Sequence, residues 1–148
     1  MKVYIDNYNI PITLLVDTGA DVSLIKNDNF SDNQINTNRI TTLSGIGQGK
    51  IRSIGTTFFD LKFKNCLIPH YFHVVHNDFP IPCDGILGMD FFRKYNCILE
   101  FSKDHDYLIL RPHNITQHIE IPITNTCHDD ITLPARSEVI RQVKRLTY

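Results

Sequence analysis

Leu14-Leu15-Val16-Asp17-Thr18-Gly19-Ala20-Asp21-Val22-Ser23-Leu24-Ile25 places a single carboxylate, Asp17, in a tight Thr-Gly turn between two apolar runs. Leu14 to Val16 reads as a strand buried on both faces, and Gly19 lets the chain turn sharply where a side chain would obstruct it. An Asp leaving such a strand is held rigid at the border of the apolar interior, which is a mounting for acid–base chemistry. Two carboxyls that face each other closely titrate as a pair and share one proton, so one can take a proton from water while the other gives one to a carbonyl. The 148 residues contain no second Asp-Thr-Gly. A two-fold symmetric pair of chains, with Asp17 beside its symmetry mate, supplies both groups from one sequence. The chain therefore reads as half of an active site, and a homodimer is expected.

Composition narrows the setting. A chain of this length with 42% hydrophobic residues suits one compact domain and a tail. Its formal net charge of -1 supplies no field that would recruit nucleic acid or an anionic membrane surface. No apolar run approaches the roughly 20 residues that span a bilayer. The N-terminus, Met1-Lys2-Val3-Tyr4-Ile5-Asp6, lacks a signal-peptide core. A soluble, cytoplasmic chain is expected, with neither nucleic acid nor membrane as partner.

Cys66, Cys83, Cys97 and Cys127 show no close paired spacing, and reduced thiols are expected. The segment from Cys66 through His70 and His73 to His76 carries zinc-ligand residue types. Pro69, Tyr71, Phe72, Val74 and Val75 make it a strand, however, with His70 and His76 on one half-exposed face and His73 on the other. No metal and no cofactor are expected.

Short apolar runs separated by turn signals give an all-β fold class. Strands are predicted at Lys2–Asp6, Ile12–Val16, Val22–Ile25, Ile40–Leu43, Ile51–Ile54, Thr56–Phe63, Leu67–His76, Cys97–Phe101 and Tyr107–Leu110. Asn7–Asn9 reads as a hairpin turn, and the Asn- and Asp-rich residues 27–38 read as a surface loop. Gly45-Ile46-Gly47-Gln48-Gly49 forms the tip of a long hairpin able to act as a lid. After Gly85-Ile86-Leu87-Gly88 the period changes: Phe91, Phe92 and Tyr95 share one face of a short helix over Met89–Tyr95, with Asp90 favouring its N-terminal end.

Three motifs in order, Leu15-Val16-Asp17-Thr18-Gly19-Ala20-Asp21, the glycine hairpin at 45–49, and Gly85-Ile86-Leu87-Gly88 before a short helix, resemble the retropepsins. These are the dimeric aspartic proteases of retroviruses and long-terminal-repeat retrotransposons, and the resemblance covers residues 1–111. It implies a closed β-barrel or sandwich with a glycine-rich flap hairpin and one short C-terminal helix, active as a homodimer. By the same resemblance the paired Asp17 side chains activate a water, and Thr18 braces the two loops across the dimer. Gly19 and Asp21 bond an extended substrate backbone, and Ala20 and Ile86 line apolar pockets. Ile46, Gly47 and Gln48 close over the substrate, with either Ile46 or Gln48 at the flap tip. Many relatives carry an Arg where this chain has Met89, which removes the ion-pair partner that would support Asp21.

Ile86 to Phe92, with Leu133-Pro134-Ala135-Arg136-Ser137-Glu138-Val139 downstream, is similar to segments of gypsy-like retroelements that run from protease toward reverse transcriptase. The implied source is such an element or an endogenous retrovirus. The implied substrate is its own polyprotein, and the implied place is the cytoplasm, within virus-like particles. Residues 112–148 are expected to be an extension or connector toward a downstream domain, with a further strand at Glu120–Thr124 left open. The alternative function is a non-catalytic dimerisation or peptide-binding module of a domesticated or silenced element. A cellular retropepsin-like domain is a third option. The intact Asp17-Thr18-Gly19 favours the enzyme.

Overall fold

The computed structural model describes residues 1–6, 10–44, 50–112 and 118–123. The expected turn at 7–9, the flap-tip residues Ile46, Gly47 and Gln48, Cys127, and everything after Ile123 lie outside them. Among the described residues the strands are β1 (Lys2–Ile5), β2 (Ile10–Val16), β3 (Leu24–Lys26), β4 (Thr42–Ser44), β5 (Lys50–Arg52) and β6 (Gly55–Phe63). They continue with β7 (Cys66–Val75), β8 (Gly85–Leu87), β9 (Ile98–Phe101), β10 (Asp106–Leu110) and β11 (Ile119–Ile123). One helix, α1 (Met89–Lys94), follows β8, as the change of period predicts.

Six strands close into a barrel in the order β1-β2-β8-β3-β7-β6, with β6 returning to β1 through Ile5↔Leu61. Alternation drives it: Phe59, Leu61 and Phe63 of β6 and Ile68, Phe72 and Val74 of β7 point inward, while Phe58, Leu67 and Tyr71 stay outside. The β6–β7 turn is two residues long, and Lys64 takes a positive φ of 52° there, as tight hairpins require. β2 and β8 run parallel, so Val16 lies opposite Leu87, and β3 packs antiparallel on the other side of β8. Gly85 permits that weave, because a Cβ there would sit 2.4 Å from the Leu24 carbonyl oxygen.

The polar loop at 27–38 is less free than its composition suggests. It contains single-turn 3-10 helices at Asn27–Asn29 and Asp32–Gln34, its Ile35 is buried, and Asn36 bridges to Thr56. β9, β10 and β11 form a separate three-stranded sheet in the order β11-β10-β9. β11 lies beyond residue 111, where the first domain was expected to end. It is the strand left open at Glu120–Thr124, described over Ile119–Ile123 and paired with β10 from Leu110↔Ile119 to Asp106↔Ile123. Its Ile119 and Ile121 join Val3, Leu14, Phe72, Phe91 and Leu108 in one core cluster. A smaller cluster of Leu24, Val75, Ile81 and Ile86 lies apart, with Ala20, Val22 and Leu43 packed against it.

Candidate active site

Asp17 is the first residue past β2, and its backbone N–H extends the ladder by donating to the Leu87 carbonyl oxygen at 3.1 Å. The turn then closes on itself. Gly19 N–H donates to Asp17 Oδ1 at 2.8 Å, and Ala20 N–H donates to the Asp17 carbonyl oxygen at 3.3 Å. A Cβ on residue 19 would come within 3.2 Å of that same carboxylate oxygen, so glycine keeps the acid accessible. Among the described residues no hydrogen bond reaches Asp17 Oδ2. One oxygen is thus fixed by the backbone, and the other is open.

The far side of the turn is stitched to the segment after β8. Met89 N–H donates to the Ala20 carbonyl oxygen at 2.8 Å, and Asp90 N–H donates to that of Asp21 at 3.1 Å. Gly88 lies so close beneath that a Cβ would stand 2.6 Å from Val22 C and O and 2.9 Å from Ala20 O. Only glycine allows this approach. The two conspicuous sequence motifs are therefore one structural unit, with residues 17–22 resting on residues 87–90.

Asp17, Thr18, Gly19, Ala20 and Asp21 come together on this turn, and Ile86 is buried beside it in the smaller apolar cluster with Ala20 against it. Thr18 borders a cleft lined by Met89, Phe92, Arg93, Cys97 and Leu99, on the side of the turn that carries α1 and β9. Asp21 is exposed, and among the described residues its carboxylate has no hydrogen bond or ion pair, consistent with Met89 standing next to Gly88. Ile46, Gly47 and Gln48 fall outside the described residues. The hairpin stem that would carry them is present as the β4–β5 pairs Thr42↔Arg52, Leu43↔Ile51 and Ser44↔Lys50.

Behind the turn is a polar cluster that the motifs alone do not announce. Ser23 Oγ donates to Asp90 Oδ1 at 2.7 Å, Gly88 N–H donates to Ser23 Oγ at 3.0 Å, and His70 Nε2 lies 3.0 Å from the same Oγ and 3.5 Å from Asp90 Oδ2. His70 is not half-exposed as expected; it is only 3% exposed, with Phe72, Phe91 and Tyr95 packed around the ring. Strand alternation could have found it, since it shares the inward face of Ile68 and Phe72. Burial would raise the Asp90 carboxyl, but hydrogen bonds from His70 and Ser23 overcome this and hold it down at about 2. The constellation is no nucleophile triad, because Ser23 and Asp90 both engage Nε2 and Ser23 is wholly buried.

Cys66, Cys83 and Cys97 are free thiols, and burial pushes the Cys97 thiol up to about 12. Among the described residues no three His, Cys, Asp or Glu side chains converge as metal ligands, and no helix is long and apolar enough to cross a membrane.

The family model described as "Retroviral aspartyl protease" matches residues 1–100. The retrovirus-related Pol polyprotein from transposon 412 of Drosophila melanogaster is 44% identical over 158 residues, covering 96% of this chain. The chain spans only 13% of that polyprotein's length. The crystal structure of the retroviral protease-like domain of Ddi1 from Leishmania major superposes with a TM-score of 0.56 at 17% identity, covering 82% of this chain and 94% of that one, and so shares the fold. The chain belongs to the retroviral aspartyl protease family, as a retropepsin-like aspartic endopeptidase domain of an LTR retrotransposon.

Proposed function

We propose that two copies of this chain form a C2 homodimer whose two Asp17 carboxylates face each other, bind a water and direct it onto a peptide carbonyl. The observation that carries this reading is the half-built site: a single Asp17 with one oxygen held by Gly19 N–H and the other left open, on a turn anchored at both ends. One carboxyl takes the water's proton while the other protonates the carbonyl oxygen, so hydrolysis proceeds without a covalent intermediate, metal or cofactor. The Thr18 side chains brace the two turns across the axis.

The cleft beside Thr18 lies on the face assigned to the second copy. β9 supports the same assignment: among the described residues it pairs only with β10, and Ile98 and Phe101 stay 40% and 44% exposed. An open strand edge with exposed apolar residues is a template for pairing with another chain.

The substrate is an extended polypeptide, and its source is the element's own polyprotein. Backbone groups of Gly19 and Asp21 bond the main chain, and Ala20 and Ile86, backed by Leu24, Val75 and Ile81, offer apolar pockets. The hairpin above the β4–β5 stem closes over it through Ile46, Gly47 and Gln48. The protease unit runs through β11, and residues 124–148 connect to a downstream polyprotein domain, within cytoplasmic virus-like particles.

A panel of peptides spanning polyprotein junctions, incubated with wild type and with Asp17→Asn, tests the assignment. Cleavage by wild type and none by the variant, with unchanged sedimentation and melting, is the expected result. Turnover by purified Asp17→Asn would end it.

A further inference from the structure

The Ser23–His70–Asp90 cluster is the most heavily connected polar group in the described interior, and the reaction just assigned does not use it directly. A hydroxyl has one donor and two acceptor positions. Ser23 Oγ donates to Asp90 Oδ1, so it must accept from both Gly88 N–H and His70 Nε2–H. All three positions are filled, which fixes the proton of His70 on Nε2. His70 Nδ1 is buried with no hydrogen-bond partner among the described residues. Filling this volume did not call for an imidazole, because a Leu or Phe among Phe72, Phe91 and Tyr95 would leave no orphaned nitrogen. What the imidazole adds is a directed donor at Nε2.

That donor acts on the turn through short links. His70 and Gly88 converge on Ser23, and Gly88 sits between Leu87, whose carbonyl oxygen accepts from Asp17 N–H, and Met89 and Asp90, whose N–H groups bond Ala20 and Asp21. Asp90 is gripped from both sides, by Ser23 Oγ–H and by His70. The cluster therefore spans β7, the residue before β3 and the start of α1, and the bond from Asp17 N–H and the two from Met89 and Asp90 N–H all pass through the segment it holds.

We propose that His70 is a positioning residue for the proteolytic reaction: through Ser23 and Asp90 it locks Gly88 and the flanking residues, and so sets the spacing of the two Asp17 carboxylates. This rests on the homodimeric reading above. In each protomer the same lock acts, so an error in it enters the paired site twice. A carboxyl pair's coupling depends on its separation, which gives the lock a signature that bulk stability lacks.

The test compares His70→Leu, which removes the donor, with His70→Gln, which keeps an N–H at similar reach, and Ser23→Ala with Ser23→Thr, which keeps the hydroxyl. In the full chain, His70→Leu and Ser23→Ala should lower kcat by about 10- to 100-fold with KM unmoved, as expected of a small misplacement of reacting groups. His70→Gln and Ser23→Thr should recover most of it. The spacing between the acid and alkaline limbs of the kcat–pH profile should change in His70→Leu and return in His70→Gln. Independently of activity, the Gly88, Asp17 and Asp90 amides should exchange hydrogen about tenfold faster in His70→Leu, while β10 amides do not change.

A folded His70→Leu dimer with wild-type kcat, pH profile and amide exchange overturns the proposal, as does a His70→Gln variant as impaired as His70→Leu. If His70→Leu does not fold, the Ser23→Ala and Ser23→Thr pair decides by the same criteria. Wild type that cleaves nothing would strike the protease reading instead, and the amide exchange would still show whether the lock exists.

Discussion

Ending the chain at Arg111 removes β11, and the structure fixes what that costs. Ile119 and Ile121 are 6% and 7% exposed in the shared core. Burying an isoleucine side chain contributes about 1.5–3 kcal/mol, so the two supply about 3–6 kcal/mol, an upper bound because unfolded chains already bury some apolar surface. The five-pair register from Leu110↔Ile119 to Asp106↔Ile123 also disappears, leaving β10 as a new edge and uncovering part of Leu108, Ile109 and Leu110. Set against a typical total of about 5–15 kcal/mol, this loss takes a large share of the fold's stability. For a domain of this size the midpoint should fall by about 10 °C or more.

Thermal and urea unfolding of residues 1–111 against the full chain, with sedimentation alongside, measures the loss. Ile121→Ala in the full chain separates packing from edge exposure and should cost about 2–5 kcal/mol alone. A truncated protein melting within a few degrees of the full chain would refute the place given to β11 in the core.

Gly88→Ala forces a methyl to within 2.6 Å of the Val22 backbone; it should cost about 1–3 kcal/mol or more in urea unfolding, and wild-type stability would show that the two segments are not held this close. Asp90 is held at about 2 against an ordinary 3.8, so its stabilisation is complete above about pH 4 and is lost as pH falls toward 2. At neutral pH Asp90→Asn should cost about 1–2 kcal/mol after solvent screening, and the gap to wild type should close below pH 4; a gap constant from pH 7 to pH 2 would refute the tie. Specific activity should rise with concentration in the dilute range, and strict proportionality through full dissociation in the ultracentrifuge would rule out a two-chain site. The pH profile should be a bell whose two limbs belong to the carboxyl pair, and a flat response from about pH 4 to 9 would contradict it.

The turn at Asp17 was legible because its determinants are local: an apolar run, a short turn with glycine, and a second apolar run. Helix α1 was legible for the same reason, its Phe91, Phe92 and Tyr95 repeating on one face within a single segment. The strand weave was not, since the parallel pairs Leu15↔Ile86 and Ile25↔Val74 join residues that no short-range pattern relates. Polar composition hid the anchoring of residues 27–38, where Ile35 is buried and Phe30 stacks on Phe59 of the barrel. β11 was obscured by Pro122, which reads as a breaker in isolation. In the sheet it sits opposite Tyr107 on a strand that, among the described residues, pairs only with β10, where a missing N–H is tolerated. Ser23, His70 and Asp90 come from three segments, so their convergence is a property of the closed barrel.

Met89 and Asp90 follow each other on the segment that holds the Asp17 turn, and they do different work there. Met89 lines the cleft beside Thr18 together with Phe92 and Leu99, apolar surface that suits the proposed burial against a second copy. Asp90, one residue later, holds the turn: its N–H donates to the Asp21 carbonyl oxygen and its carboxylate is fixed by Ser23 and His70. The anchoring bonds therefore lie inside the barrel wall, away from the face assigned to the second copy in the proposed dimer. The Asp17 turn is thus held by bonds within one chain, so the homodimer proposed above would bring together two halves that are already set.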